Sequence, residues 1–110
     1  MKLLTAAILK ALPPLGTYAQ RDDWREALAV VKHFHPVGGW TWYATEYDPE
    51  SGRFFGLVDG LEAEFGYWTL ADLEGIEVIG LGVERDLYWV PVPVGQLLDA
   101  ALARKVAADA

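Results

Sequence analysis

The sequence predicts an α+β fold: an antiparallel meander sheet of four to five strands with an N-terminal helix, a short helix near residues 70–75 and a C-terminal helix. Three observations carry that expectation. Aromatic and β-branched runs recur between residues 28 and 90, each bounded by turn residues. The connections between these runs are short, which favours hairpins over crossovers. Helical spacing of apolar residues is confined to the two ends and to one capped segment, so helices can cover the sheet.

The elements follow in order. Residues 3–12 read as an amphipathic helix with Leu4, Ala7, Ile8, Ala11 and Leu12 on one stripe. Pro13-Pro14 stops it, because proline removes a backbone donor and clashes with the preceding turn. Residues 15–25 read as an irregular connection. "EALAVVKHF" (26–34) could begin as helix, but Val30-Val31 and the alternation into Phe34 favour a strand. "HPVGG" (35–39) is turn material, followed by the strand "WTWYATEYD" (40–48), the turn "PESG" (49–52) and the strand "RFFGLVD" (53–59). "FGYWT" (65–69) reads as the next strand. Thr69 with Asp72 three residues on is a helix N-terminus, and Gly75 closes that helix. "VERDLYWV" (83–90) reads as the last strand. Pro91 and Pro93 end it before a helix over 95–106 with Leu98, Ala101 and Leu102 facing inward.

A chain of 110 residues is expected to form one domain, 1–110. With 53% hydrophobic and 23% charged residues it can build a core and is not a disordered sequence. The absence of cysteine excludes disulfides, thiolate metal sites and a cysteine nucleophile. The N-terminal apolar run superficially resembles a secretory signal, but Lys10 interrupts it and no small-x-small cleavage pattern follows. A cytoplasmic protein without membrane contact is the expectation. The net charge of −7 is concentrated in residues 44–90, which hold two basic and eleven acidic side chains. Direct duplex DNA binding is disfavoured by that sign, whereas a partner with a basic surface is favoured.

The succession "VVKHFHP", "TWYATEYDPE", "FFGLVDG", "EFGYWTLADLE" and "GLGVERDLYW", in this order and spacing, resembles the family called Domain of Unknown Function 2958. "LLTAAILKALPPLG" looks like that family's opening helix, so the resemblance runs from about residue 3 to residue 98. It implies a small bacterial or phage protein carried on mobile elements near accessory or anti-defence genes. It brings no established activity and no catalytic residues. "HFH" departs from the family pattern, which has apolar or small polar residues there.

His33 and His35 are two apart on an expected strand and so share a face. With Glu46 or Asp48 from the next strand they would form a metal set, though two imidazoles alone do not define a site. A metal-assisted or carboxylate-based hydrolase using His33, His35 and Asp48 is the alternative function. The carboxylates at 46, 48, 59, 62, 64, 84 and 86 could also supply an acid–base pair, which needs convergence across a cleft. There is no phosphate-binding glycine loop, and Ser51 is the only serine. No cofactor is expected.

Five tryptophans, five tyrosines and four phenylalanines are the strongest compositional feature. On the expected strand Trp40 and Trp42 share one face, with Tyr43 and Tyr47 on the other. A sheet covered by helices on one side leaves some rings exposed, and exposed aromatics framed by polar groups suit interfaces. The leading expectation is therefore a non-enzymatic interaction protein. Its acidic aromatic face, made of Trp40, Trp42, Glu46, Asp48, Glu62, Glu64 and Trp68, would engage a host protein that handles nucleic acid or acts in defence. A homodimer through the same face is open. Within "VERDLYWV", alternation places Arg85 with Leu87 and Trp89 on the core side, where a guanidinium needs a partner. Asp59 and Glu46 are the candidate partners from other strands, with Asp59 taken as the structural ion pair; an arginine at the rim of a ligand pocket is the rival reading.

Overall fold

The computed structural model describes residues 1–109. Thr5 caps α1 (Ala6–Ala11) by accepting the Ile8 N–H, and Pro13 lies just beyond its end. A single helical turn at Trp24–Glu26 leads into β1 (Leu28–Ala29) and β2 (Val31–Phe34). The meander continues through β3 (Thr41–Asp48), β4 (Arg53–Asp59) and β5 (Ala63–Thr69). Thr69 and Asp72 close a capping box on α2 (Leu70–Gly75). Four two-residue strands follow: β6 (Glu77–Val78), β7 (Leu81–Gly82), β8 (Glu84–Arg85) and β9 (Val92–Pro93). Helix α3 (Val94–Asp109) completes the α+β fold.

The main sheet has the order β5-β4-β3-β2-β8, antiparallel throughout. β1 pairs with β9, and β6 with β7, as separate two-stranded ribbons. Both faces of the main sheet are covered, contrary to the sequence expectation of one buried face. On one face Leu3, Leu4, Leu12, α2 and Val83 pack on Trp42, Ala44, Tyr47, Phe54 and Trp68. On the other, the Trp24 turn and α3 pack on Tyr43 and Leu57. The aromatic excess fills two thin cores rather than one.

A β-bulge decides which residue faces which core. The β3–β4 register slips between Ala44 and Glu46, so Thr45 has no cross-strand partner. A bulge adds one residue to one strand and resets the alternation beyond it. Trp42 and Ala44 lie in the first core, and after the bulge Tyr47 joins them there instead of sharing Tyr43's face. Gly56 is paired with Ala44 at this point, and a Cβ on it would lie 2.0 Å from the Tyr43 carbonyl oxygen. Only glycine lets β4 pass the bulged strand.

Other expectations are corrected at the element ends. Leu3 and Leu4 are buried outside α1, while Ala7 and Ala11 face solvent. Residues 86–90 leave the sheet after a two-residue strand, so strict alternation fails there: Leu87 and Tyr88 are exposed, and only Trp89 turns back, its indole donating to the Ala29 carbonyl. In α3, Ala101 is buried and Leu98 packs on the core, but Leu102 is exposed.

Candidate functional site

The sequence-predicted residues separate into three groups. Trp42 and Trp68 are core residues at 7% exposure each, with Trp68 stacked on Phe54 at 5.6 Å between ring centroids. Burial removes them as exposed anchors, although one edge of Trp42 still lines a surface groove. Glu46 is fully buried and has a structural task. Its two carboxylate oxygens accept the backbone N–H groups of Gly16, Tyr18 and Ala19, at 2.5, 3.1 and 3.1 Å. The bulge aims Glu46 at that loop, and the loop's backbone amides replace the water the carboxylate loses on burial. Asp48 organises its own turn by accepting the Ser51 hydroxyl and the Glu50 N–H. Those bonds hold its carboxyl below the usual range.

The histidine–carboxylate set does not assemble. His33 is fully buried; its Nε2–H donates to the Leu3 carbonyl at 2.7 Å, and Nδ1 is sealed without a partner. Burial holds its pKa below 6.5, and the charge of Arg85 adds to the effect, while the bond to Leu3 works in the opposite direction. His35 donates from Nε2 to the Leu81 carbonyl and accepts the Val37 and Gly38 N–H groups at Nδ1, so both its nitrogens are engaged. Asp48 lies at the opposite end of β3 from Trp42, the residue paired with His33. Among the described residues, no three His, Asp or Glu side chains are grouped to hold a metal ion.

Asp59 is not the partner of Arg85. It binds Arg104 and Lys105 of α3, at 2.5 and 2.7 Å. Burial alone would raise its pKa, but the two hydrogen bonds and cationic charges outweigh that and lower it. Arg85 has no carboxylate within ion-pair distance among the described residues, and its Nε is buried without an acceptor.

What remains is a surface where two hairpins meet. Trp40 lies over Gly60, so close that a Cβ there would come within 2.7 Å of the indole, and its ring is tilted against Trp42 with 6.1 Å between ring centroids. Together with His35, Gly38, Ile76 and Val78, these rings line a groove of about 370 Å³. The His35–Leu81 bond ties the Pro36–Gly39 turn to the β6–β7 ribbon, which sequence reasoning missed. At that ribbon's tip Ile79 and Gly80 both have positive φ, 48° and 79°, between the paired Val78 and Leu81. Positive φ at both central residues is the pattern of the type I′ turn, where Asn-Gly is usual. The missing Asn-Gly is why the hairpin was not legible. Ile79 is 81% exposed, so a β-branched side chain is held in a disfavoured conformation that core burial does not compensate. Val37, Val78 and Leu81 are also exposed around the groove. Glu62 and Glu64 are exposed nearby: Gly60, beneath Trp40, bonds the Glu62 carbonyl, and Glu64 follows Val58 in the cross-strand row from Trp42.

A family model described as "Protein of unknown function (DUF2958)" matches residues 3–105. The chain belongs to that family. No curated protein and no solved structure matches the DUF2958 chain. The match covers the hairpins and strands described above, and it attaches no chemistry to them. No described helix is long and apolar enough to cross a membrane.

Proposed function

We propose that this DUF2958 protein is a non-enzymatic binding module whose partner docks on the Trp40–Trp42 groove and the Ile79 hairpin tip. The observation that carries the reading is Ile79, held at positive φ and exposed beside an apolar groove. Strain of this kind costs roughly 1–3 kcal/mol, persists only where the surrounding structure enforces it, and is concentrated at ligand clamps and other functional positions. Glu62, Glu64 and Glu77 are exposed on the strands and loop around the groove, so the partner's complementary surface is an apolar anchor flanked by basic groups. This keeps Trp40, Glu62 and Glu64 from the sequence-derived face and gives Trp42 a lining role; it drops Glu46, Asp48 and Trp68. A basic partner is consistent with a host protein that handles nucleic acid or acts in defence, the company that the family resemblance implies. The hydrolase reading is not retained, because His33, His35 and Asp48 are each committed to backbone or turn contacts and do not converge.

The test is a photocrosslinking side chain placed at position 79 and, as a control, at position 50, in cells that carry the protein. The expected result is one dominant protein adduct from position 79 alone, abolished by Trp40→Ala. Ile79→Asn should raise stability while removing binding. Equal adducts from both positions, or a partner retained by an Ile79→Asn, Trp40→Ala double variant, would overturn the reading.

A further inference from the structure

A cavity of about 240 Å³ lies on the Tyr43 face of the sheet, between the loop at residues 18–20 and strands β3, β4 and β5. Four aromatic rings line it: Tyr18, Trp24, Phe55 and Phe65. Trp24 meets Phe65 edge-on, with 5.2 Å between ring centroids, and Phe55 lies nearly parallel to Phe65 at 6.0 Å.

Three features of the backbone converge on this cavity. Thr45, the bulged residue of β3, lines it from the sheet side. Glu46, the next residue, holds the opposite wall by accepting the N–H groups of Gly16, Tyr18 and Ala19. One bulge therefore supplies both a floor and the anchor of a wall, and bulges are over-represented beside functional sites because they re-aim side chains. Gln20 is the only exposed residue among those lining the cavity, and its φ of 65° is left-handed. Such a conformation in a residue other than glycine is concentrated at ligand clamps. The loop is preformed: a buried carboxylate fixes it from behind, whatever fills the cavity.

The chemistry of the wall selects the ligand. Among the described residues lining it, none is charged. The Thr45 hydroxyl donates its one proton to the Phe55 carbonyl, and the Tyr18 and Ala19 N–H groups are spent on Glu46, so none of these donors is left for an anion. A charged group entering there loses water without replacement. Ring faces attract cations, but Trp24 already holds the Arg25 guanidinium, 5.4 Å from its ring centroid. A flat neutral ring suits the mixture of ring faces and edges. The volume is sufficient, since an apolar cavity of about 150 Å³ takes up benzene.

We propose that this cavity binds a small neutral aromatic molecule of one or two fused rings. The site lies on the sheet face opposite Trp42 and does not depend on the groove at Trp40.

The experiment is an NMR titration of the full chain with indole, compared with benzoate and with tetramethylammonium. Indole should give saturable shifts at residues 18–20, Thr45, Phe55 and Phe65, with a dissociation constant of about 0.1–1 mM for so small a probe. Intermolecular NOEs from indole to the Tyr18 and Phe65 rings should locate it. Benzoate and tetramethylammonium should each bind at least about tenfold more weakly, because neither charge finds a partner in the cavity. Ala19→Leu, which places a larger apolar side chain on the lining, should weaken indole binding at least about tenfold while the spectrum of residues outside the cavity is retained. The NOEs decide the question in the unaltered protein if that variant does not fold. Absence of saturable shifts, NOEs to other residues alone, binding of either ion as tight as that of indole, or undiminished binding by folded Ala19→Leu would overturn the proposal.

Discussion

Replacing Glu46 by alanine should be among the most damaging changes to stability at any acidic position. The carboxylate is fully buried and accepts three backbone N–H groups from the Gly16–Ala19 loop. Hydrogen bonds to a charged acceptor contribute roughly 1.5–3 kcal/mol each. The three are not additive, because the freed loop can open and give its N–H groups to water. Removing the buried partner should therefore cost about 3–5 kcal/mol, the range for breaking a buried polar network. For a domain of this size that lowers the melting temperature by about 10–20 °C. Glu46→Gln keeps one acceptor oxygen but turns an NH₂ toward a backbone donor, so it should lose less, about 2 kcal/mol. Urea unfolding measures the loss, and hydrogen exchange at Gly16, Tyr18 and Ala19 locates it. A Glu46→Ala protein within about 0.5 kcal/mol of wild type, the scatter of ordinary surface changes, would refute the reasoning. So would unchanged exchange at those three amides.

Other outcomes follow from the same geometry. Gly56→Ala puts a Cβ 2.0 Å from the Tyr43 carbonyl oxygen, so the bulge must shift, and urea unfolding should show a loss of about 3 kcal/mol or more. His33 is held neutral, with a folded pKa below its ordinary 6.5. Between those two values the unfolded chain binds more protons, so this contribution is complete above pH 6.5. It is lost as the pH falls from there toward the folded value, by at most about 1.4 kcal/mol per pH unit. Denaturation curves across that window should be flatter in His33→Leu. Asp59 has a lowered pKa, so its contribution is present above 3.8 and is lost as the pH falls through the folded value. Asp59→Asn should abolish that acid dependence and cost about 1 kcal/mol at neutral pH, since Arg104 is largely exposed. Ile79→Asn should gain about 1 kcal/mol in urea unfolding by relieving the turn.

The meander was legible because its signals are local. β-Branched and aromatic runs, the turns at 35–39 and 49–52, and the capping box at Thr69 and Asp72 each lie within a few residues. Charge location and the family resemblance were legible for the same reason. The surroundings of the candidate site were legible only in part: Trp40, Glu62 and Glu64 are exposed as expected, whereas Trp42 is largely core and Glu46 is wholly structural. Long-range pairing decided the rest. One extra residue at Thr45 resets the alternation of β3 without changing its composition, and that alone directs Glu46 toward a loop some thirty residues earlier. The tertiary arrangement likewise sends Asp59 to α3 instead of Arg85, because the α3 cations reach the end of β4 and Arg85 lies at the far edge of the sheet. Sequence by itself determined the strands of the central meander and where negative charge accumulates, since both depend on neighbouring residues. Which carboxylates are buried, which rings remain exposed, and which arginine is left without a partner depended on register between distant strands.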